Sequence, residues 1–294
     1  MIYLITVNYY SAELIAKLWA SIQGQSHAPD HQLIIVNNSA AEDCATLAGD
    51  RVVILEAGAN LGFGGGCNLG LNWVYERDRA ATVWLINPDA TLPENALNHA
   101  AQFCSAHPTL SIIGTIISEP SGKIWFAGGE FVPETGKIVA STELAGTGFG
   151  STELASSGFV SEKADYVETS WVTGCSMLLN LQNFDPCPQF DPAYFLYYED
   201  FDFCRRYAQQ GHSVVITPIQ VIHQPSSITS RNPSLTLQHS TFSYLLALKR
   251  HTSQPVFWYR LSRIIFHAVR VGVVQPRRAI AIVKGVLHFG QRSL

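Results

Sequence analysis

The amino-acid sequence predicts an α/β fold with a Rossmann-like, mostly parallel sheet flanked by helices, followed by a helical C-terminal appendage. Two observations predict this class. Short strand-like runs alternate with helical patterns over about the first hundred residues, which is typical of parallel strands joined by crossover helices. The second to fourth of these runs are apolar throughout, as a sheet covered on both faces requires.

The first half of the chain supplies four predicted strands and the helices that connect them. The strands lie at residues 3–7, 32–36, 51–55 and 82–86. Helices are predicted at 11–22, in a short polar segment after the second strand, after a glycine-rich loop at 58–68, and at 92–103. Ligands of such sheets bind beyond the carboxyl ends of the strands, so the residues that follow each strand are candidates for a site.

The second half is richer in strands and turns. Strands are predicted at 111–118, 123–129, 130–140 and 170–179. A helix that closes at Gly211 and a strand stopped by Pro218 follow, and the chain is predicted to be helical beyond Pro233. An imperfect tandem copy rich in Gly, Ser and Thr, at 141–149 and 151–159, is predicted to form a mobile surface loop.

These patterns predict two parts, a single domain and an appendage. The first is an α/β domain at 1–232, divided into halves at 1–109 and 110–232, and the second is a basic helical region at 233–294. A chain of 294 residues with 47% hydrophobic content can bury one substantial core.

The six cysteines form no C-x-x-C pair and are expected to be reduced thiols, and no zinc pattern is visible. The first residues read as a strand without a charged leader, so we expect a cytoplasmic protein.

The net charge of -4 conceals a strong asymmetry along the chain. All 23 acidic residues lie at or before Asp202, whereas 12 of the 19 Lys and Arg residues lie after it, among aromatic side chains. This pattern favours peripheral contact with an anionic membrane or a phosphorylated partner, and we expect no nucleic-acid partner. Three arginines interrupt the apolar interval 255–274, which is therefore expected to lie on a membrane rather than cross it. Alternatively, these helices pack on the core and their cations are solvated.

Asp89 is the first candidate for a functional carboxylate. It follows the strand 82–86 in the segment Asn87-Pro88-Asp89, at the expected ligand edge of the sheet. Mg²⁺ commonly takes one or two protein carboxylates and completes its shell with phosphate oxygens and water, so one aspartate can suffice. The alternative is that Pro88 and Asp89 form a turn and cap the next helix.

The loop at 58–68 is the second candidate, because its backbone N–H groups could approach a diphosphate at the start of a helix. It matches neither the G-x-G-x-x-G fingerprint nor a P-loop. Glycines that only permit tight backbone geometry would give the same pattern.

A third candidate is the run of carboxylates at Glu199, Asp200 and Asp202, which lies among aromatic residues directly before a helix. Acidic residues there are favourable for the helix dipole alone. The aromatic neighbours favour a substrate-facing cluster in which one carboxylate acts as a general base. His223, which follows an apolar strand, is either structural or a contact to a metal or phosphate.

Seven blocks occur in a characteristic order: VNYYS, IIVNNS, ANLGFGGGCNLG, LINPDATL, WVTGCSMLL, FDPAYFLYYEDFDFCRR and VIHQPSS. Over about residues 2–230 the sequence thereby resembles the rhamnosyltransferase-like branch of the family 2 glycosyltransferases. The resemblance implies a GT-A fold whose second half binds the acceptor. It also implies inverting transfer of L-rhamnose or a related hexose from a dTDP- or UDP-linked sugar, with Mg²⁺ or Mn²⁺ as cofactor. The acceptor would be a saccharide or lipid-linked saccharide in cell-surface polysaccharide synthesis.

The resemblance also implies roles for individual residues. Asp200, paired with Glu199, would be the general base that activates the acceptor hydroxyl. Asp89 would hold the metal with Asn87 beside it, and His223 would approach the metal or the diphosphate. The remaining contacts to the donor would come from Val7, Tyr9, Asn37, Gly62, Asn68, Gly174 and Cys175.

Asn37 departs from the family pattern, in which an aspartate accepts a hydrogen bond from the imide N–H of the base. An amide oxygen can accept the same bond without charge assistance. The departure leaves the nucleotide open and motivates an alternative, a catalytically silent nucleotide- or glycan-binding protein of the same fold. The retained acids argue against it. A nucleotidyltransferase is disfavoured because no glycine-rich loop with a basic residue follows the first strand.

Overall fold

The computed structural model describes residues 1–39, 41–143, 165–224 and 232–293. Its first half contains four parallel strands in the order β4-β1-β2-β3, with three helices between and after them. The strands are β1 (Ile2–Asn8), β2 (His31–Asn37), β3 (Val52–Glu56) and β4 (Thr82–Ile86). The helices are α1 (Ala12–Gln23), α2 (Gly62–Tyr75) and α3 (Ala96–Ala106).

The second half continues the same sheet. Its strands are β5 (Ala90–Thr91), β6 (Ile112–Ser118), β7 (Ile124–Phe126), β8 (Gly129–Val132), β9 (Lys137–Ala140), β10 (Val167–Glu168), β11 (Ser176–Asn180) and β12 (Val214–His223). β11 is inserted antiparallel between β4 and β6, and β12 lies parallel to β6. The main path is therefore β10-β12-β6-β11-β4-β1-β2-β3, while β8 and β9 pair separately. The predicted mostly parallel α/β sheet is confirmed.

Three local predictions were wrong. The run at 130–140 is not one strand, because its two ends pair antiparallel as β8 and β9. The strand predicted to stop at Pro218 continues to His223 as β12, because its pairing with β6 shifts register between Ile216 and Gln220 and accommodates the proline. The short polar helix after β2 is only a single 3₁₀ turn, Ala45–Leu47. The tandem copy predicted as a loop falls almost entirely outside the described residues.

Alternate residues of β1 enter two cores on opposite faces of the sheet. Ile5 and Val7 pack on the α2 side, while Leu4 packs against α1 on the other side. On the α2 side the approach is very close. A Cβ on Gly66 or Gly70 would lie 2.7 Å from a side-chain carbon of Val7 or Ile5, respectively. The glycines of α2 therefore allow the helix to lie directly on β1.

Helix α4 (Glu199–Gln209) and three C-terminal helices complete the fold: α5 (Pro233–His251), α6 (Gln254–Val274) and α7 (Pro276–Ser293). The predicted helical C-terminal region is thus confirmed. Phe242, Phe257 and Phe289 come from α5, α6 and α7 in turn and share one buried cluster. Among the described residues, no helix is both long enough and apolar enough to span a membrane.

Candidate active site

Asp89 and His223 form a close pair beyond the end of β4. His223 Nε2 lies 3.1 Å from Asp89 Oδ1, and both side chains are about nine-tenths covered. Backbone pairing sets this geometry, because His223 is opposite Ala90 in the β5–β12 ladder and the Gln224 N–H donates to Asp89 O at 3.0 Å. The indole of Trp125 packs on the His223 ring with centroids 5.1 Å apart. The structure therefore brings together these two sequence-predicted metal ligands.

The segment Gly174–Cys175 lies beside this pair. The Asn87 N–H donates to Cys175 O at 2.9 Å, which fixes the chain after β4 against the chain before β11. Burial raises the pKa of the Cys175 thiol well above its usual range, and the charges of Asp89 and Asp200 raise it further. Cys175 is 5% exposed and remains a thiol, so its place in the site is structural.

Asp200 lies beside Gly174, in the first turn of α4. Its Oδ2 accepts the Gly174 N–H at 3.0 Å, and its Oδ1 accepts the Phe201 N–H at 2.8 Å. Burial raises the pKa of Asp200 above its ordinary value, while these N–H bonds and a side-chain hydrogen bond with Thr173 oppose the increase. These bonds fix the orientation of the carboxylate, which is a feature of a general base.

Glu199 has a different environment although it is adjacent in sequence. It is 6% exposed, and its Cβ lies 3.6 Å from where a Cβ on Gly64 of α2 would be. Its Oε2 has no hydrogen-bond partner within the described part of the chain. Burial and then the charge of Asp200 raise the pKa of Glu199 well above its usual range.

Asp202, the third carboxylate of the run, is fully buried in an ionic network. Its Oδ2 accepts Arg206 Nε at 2.6 Å, and its Oδ1 lies 2.9 Å from His251 Nε2, 3.1 Å from the Tyr194 hydroxyl and 3.3 Å from Arg250 Nη1. Burial alone would raise the pKa of Asp202, but the hydrogen bonds from His251 and Arg206 outweigh it and lower the pKa. This carboxylate joins α4 to α5 and is not available to a substrate.

The nucleoside-side candidates lie at the ends of β1 and β2. Tyr9 is 40% exposed, whereas Val7 and Asn37 are buried. Both amide atoms of Asn37 are engaged: Oδ1 accepts from Asn8 Nδ2 at 3.0 Å, and Nδ2 donates to Glu56 Oε2 at 2.9 Å. Of these three candidates, Tyr9 presents the most surface to a ligand.

Gly62 and Asn68 connect α2 to the chain that leads into α4. Asn68 Nδ2 donates to Phe190 O at 2.8 Å, and the Phe190 N–H donates back to Asn68 Oδ1 at 2.7 Å. Gly62 has φ +76°, and a Cβ there would overlap the carbonyl of Phe195. The glycine-rich segment is helical from Gly62 onward, and its described contacts position the segment that carries Asp200.

The residues present suit a metal shared with a substrate. No group of three or more His, Cys, Asp or Glu side chains able to hold a metal exists among the described residues. Asp89 and His223 nevertheless offer one carboxylate oxygen and one imidazole nitrogen 3.1 Å apart. A divalent cation that takes its remaining ligands from a diphosphate and water fits such a pair.

Three neighbours of the site escaped prediction because their contacts are made across the fold. Trp125 reaches His223 from β7, and Thr173 hydrogen-bonds to Asp200. Glu42 accepts the N–H groups of Ser11 at 3.0 Å and Ala12 at 3.3 Å, and so caps α1 with a carboxylate. The spacing of Asp202 and Arg206, four positions apart on a predicted helix, was the one usable sequence signal for the ionic network.

Solved structures of glycosyltransferases share this architecture. GalNAc-T7 with UDP, GalNAc and Mn²⁺ superposes with a TM-score of 0.57 at 11% identity, covering 85% of this chain and 47% of that one. The mannosyltransferase PcManGT of Pyrobaculum calidifontis, with GDP-Man and Mn²⁺, gives 0.54 at 11% identity over 98% and 86% of the two chains. S. aureus TarS with UDP gives 0.51 at 12% identity over 84% and 64%. The fold is therefore the GT-A glycosyltransferase fold.

Sequence comparison identifies the family. The model of Glycosyl transferase family 2 matches residues 2–155, more than half of the chain, so the chain belongs to that family. Over 214 residues it is 22% identical to the low-salt glycan biosynthesis hexosyltransferase Agl10 of Haloferax volcanii. That alignment covers 72% of this chain and 62% of the relative, so the chain spans less than two thirds of the relative's length.

Proposed function

We propose that this chain transfers a hexose, with inversion, from a nucleoside-diphosphate sugar to a hydroxyl group of a saccharide or lipid-linked saccharide. One observation carries the proposal. The Asp200 carboxylate accepts the Gly174 N–H, and the charges of both Asp89 and Asp200 act on the neighbouring Cys175, so the base and the metal-binding pair lie near one short segment. A base next to a pair able to hold a metal for the leaving diphosphate is what a single displacement at a sugar carbon needs.

Asp200 acts as the general base in this proposal. As the acceptor oxygen attacks the anomeric carbon, its proton moves to Asp200, and the bond between that carbon and the diphosphate oxygen breaks with its electron pair on the leaving group. The raised pKa makes Asp200 a stronger base than an exposed carboxylate. The Gly174 N–H donates to the carboxylate at 3.0 Å and so orients it.

The donor would bind along the ends of β1, β2 and β4. Tyr9 would stack on the nucleoside, above Val7 and Asn37, and Asn87 with Gly174 and Cys175 would border the sugar. Asp89 and His223 would hold Mg²⁺ or Mn²⁺, which stabilises negative charge on the leaving diphosphate. Gly62 and Asn68 would act indirectly, through their contacts with the segment that precedes α4.

The seven sequence blocks support L-rhamnose or a related hexose on dTDP or UDP, within cell-surface polysaccharide synthesis. The hexosyltransferase named for glycan biosynthesis and the nucleotide-bound neighbours support a nucleotide-linked hexose in general. The engaged amide of Asn37 favours a pocket that reads the base mainly by shape and stacking.

The C-terminal helices support placement on the cytoplasmic face of a membrane. α6 and α7 expose large apolar side chains at helical spacing and carry cations without any acidic residue. The exposed apolar residues are Trp258, Tyr259, Ile265, Phe266, Val269, Val273, Val274, Ile280, Val283 and Leu287. Each Lys or Arg near an anionic leaflet contributes about 1 kcal/mol. Binding to phosphatidylcholine vesicles only when they contain phosphatidylglycerol would support this placement, and equal binding to both vesicles would contradict it.

The decisive experiment combines donor binding with turnover. Thermal shifts with dTDP- and UDP-sugars, with and without Mn²⁺, identify the donor, because a ligand at a hundredfold excess over its dissociation constant stabilises the native state by about 2.7 kcal/mol. Asp200→Asn should retain that shift and lose about 10²–10⁴-fold in transfer rate. Asp50→Asn, at an exposed carboxylate before β3, is the matched control. Full activity of Asp200→Asn would exclude it as the base, and no nucleotide-dependent shift would favour the silent binding protein.

A further inference from the structure

The C-terminal helices enclose a cleft next to the proposed base. The cleft has a volume of about 320 Å³ and is lined by residues of α5, α6 and α7 together with Tyr198. A second cavity of about 900 Å³, bordered by Tyr197, shares Leu237, Ser240 and Arg278 with the first. The two cavities therefore adjoin each other, and each has the size that small-molecule ligands occupy.

The cleft is strongly cationic. Arg260, Arg263 and Arg278 line it together with His267, and none of its described lining residues is acidic. The hydrogen bonds of two of these arginines go to neutral groups, from Arg263 Nη1 to the Tyr259 hydroxyl and from Arg278 Nη1 to a Gln275 oxygen. Within the described part of the chain none of the three forms a salt bridge, so their charges are available to an anion.

Tyr198, which lines the cleft, lies two residues before Asp200 in the chain. Tyr197 and Tyr198 both have left-handed backbones, with φ +65° and +63°, and Tyr198 is the N-cap residue of α4. The Tyr198 ring packs on Tyr244 of α5 with centroids 5.3 Å apart. Two consecutive non-glycine residues in this conformation cost free energy and persist only where the surroundings impose them, commonly at functional sites.

The cleft also has an apolar side. Leu237, Ile264 and Ile282 line it between the charged groups, and neighbouring positions of α6 expose Ile265 and Phe266. Cationic groups next to exposed apolar surface match an amphiphile better than they match a free sugar phosphate, which has no apolar part to bury.

We infer that this cleft binds the phosphate of a lipid-linked saccharide acceptor, with Arg260, Arg263 and Arg278 as ligands, so that the attached sugar reaches Asp200. The inference rests on the proposed function and names its acceptor class. Guanidinium groups bind phosphate through paired N–H donors, and three of them line this cleft.

Binding of farnesyl phosphate, measured by calorimetry on the full chain, tests this inference. Farnesol serves as the uncharged probe and inorganic phosphate as the free-anion probe. We expect farnesyl phosphate to bind more tightly than either. Arg263→Gln and Arg278→Gln should each weaken its binding by about tenfold or more, because each removes a charge-assisted hydrogen bond. Arg270→Gln removes one charge from the same α6 at an exposed position outside the cleft and should leave the affinity nearly unchanged.

Equal affinities for farnesol and farnesyl phosphate would overturn the phosphate site, and so would an equal loss in Arg270→Gln. Equal affinities for inorganic phosphate and farnesyl phosphate would overturn the lipid-linked acceptor. Nucleotide-sugar binding with Mn²⁺, measured separately on the unmodified chain, reports on the proposed function. Failure of donor binding is thereby distinguished from failure of the cleft.

Discussion

Asp200 and Asp202 are two residues apart on α4, yet replacing each by asparagine should have opposite consequences for stability. Asp202 is fully buried among Arg206, Arg250 and His251, and its lowered pKa shows that the fold favours its charge. The raised pKa of Asp200 shows that the fold disfavours its charge. We predict that Asp202→Asn destabilises the protein and that Asp200→Asn leaves its stability unchanged or increases it.

The size of the first effect follows from the network. Asparagine keeps the shape of Asp202 but removes its negative charge, which leaves Arg206 without a carboxylate partner, while Arg250 keeps its ion pair with Asp191. Breaking a buried ion pair by removing one partner costs about 3–5 kcal/mol. This is a large part of the 5–15 kcal/mol by which a domain is typically stable. The unfolding midpoint should fall by about 6–10 °C.

Thermal unfolding followed by circular dichroism measures both variants. Because the folded pKa of Asp202 is lowered, its contribution is present above the unfolded pKa of about 3.9 and is lost as the pH falls through the folded value. The difference between wild type and Asp202→Asn should therefore be full at pH 7 and shrink in acid. An unchanged midpoint for Asp202→Asn at pH 7 would refute this reasoning, as would a loss of similar size in Asp200→Asn.

Three further predictions concern the site and its support. His223→Ala should weaken Mn²⁺-dependent nucleotide binding at least tenfold, because even residues that only support metal ligands change metal affinity by about 10–100-fold. Titration of nucleotide at several Mn²⁺ concentrations measures this loss of affinity. Gly174→Ala should slow transfer more than it weakens donor binding. The new Cβ would lie 2.6 Å from Phe63 and displace the Gly174 N–H that orients the Asp200 carboxylate. Separate kcat and KM values test this prediction. Gly70→Ala should destabilise the protein by about 1–3 kcal/mol in urea unfolding, since its Cβ would lie 2.7 Å from Ile5, and a wild-type midpoint would contradict the close packing of α2 on β1.

The sequence carried enough information for the sheet and for the edge where the candidate site lies. Uninterrupted apolar runs identify buried parallel strands, and chain order places Asp89 at the carboxyl end of β4. The segment that carries Asp200 was visible as acids among aromatic residues before a helix. These features are local, so periodicity and residue type were sufficient to predict them.

The different environments of Glu199, Asp200 and Asp202 could not be predicted from the sequence. Asp202 differs from Asp200 through Arg206, whose spacing gives a signal, and through Arg250 and His251 on α5. The α5 partners lie about fifty positions later in the chain, and no spacing rule connects them to Asp202. The course of β12 through Pro218 depends on how its neighbour β6 is paired. Asn37 looked like a weakened nucleotide contact, but its amide is occupied by Asn8 and Glu56, which come from different strands. In each case the prediction would have required knowledge of contacts between distant parts of the chain.

The pairing of β5 with β12 has a consequence for how the protein matures. Asp89 comes from the first third of the chain, whereas His223 is the last residue of the final strand, and a two-residue ladder holds them together. During synthesis the N-terminal strands emerge first, so Asp89 can pair with His223 only after most of the chain has been made. Metal-dependent nucleotide binding would then report on completed folding, and chains released before β12 would remain unable to sequester donor.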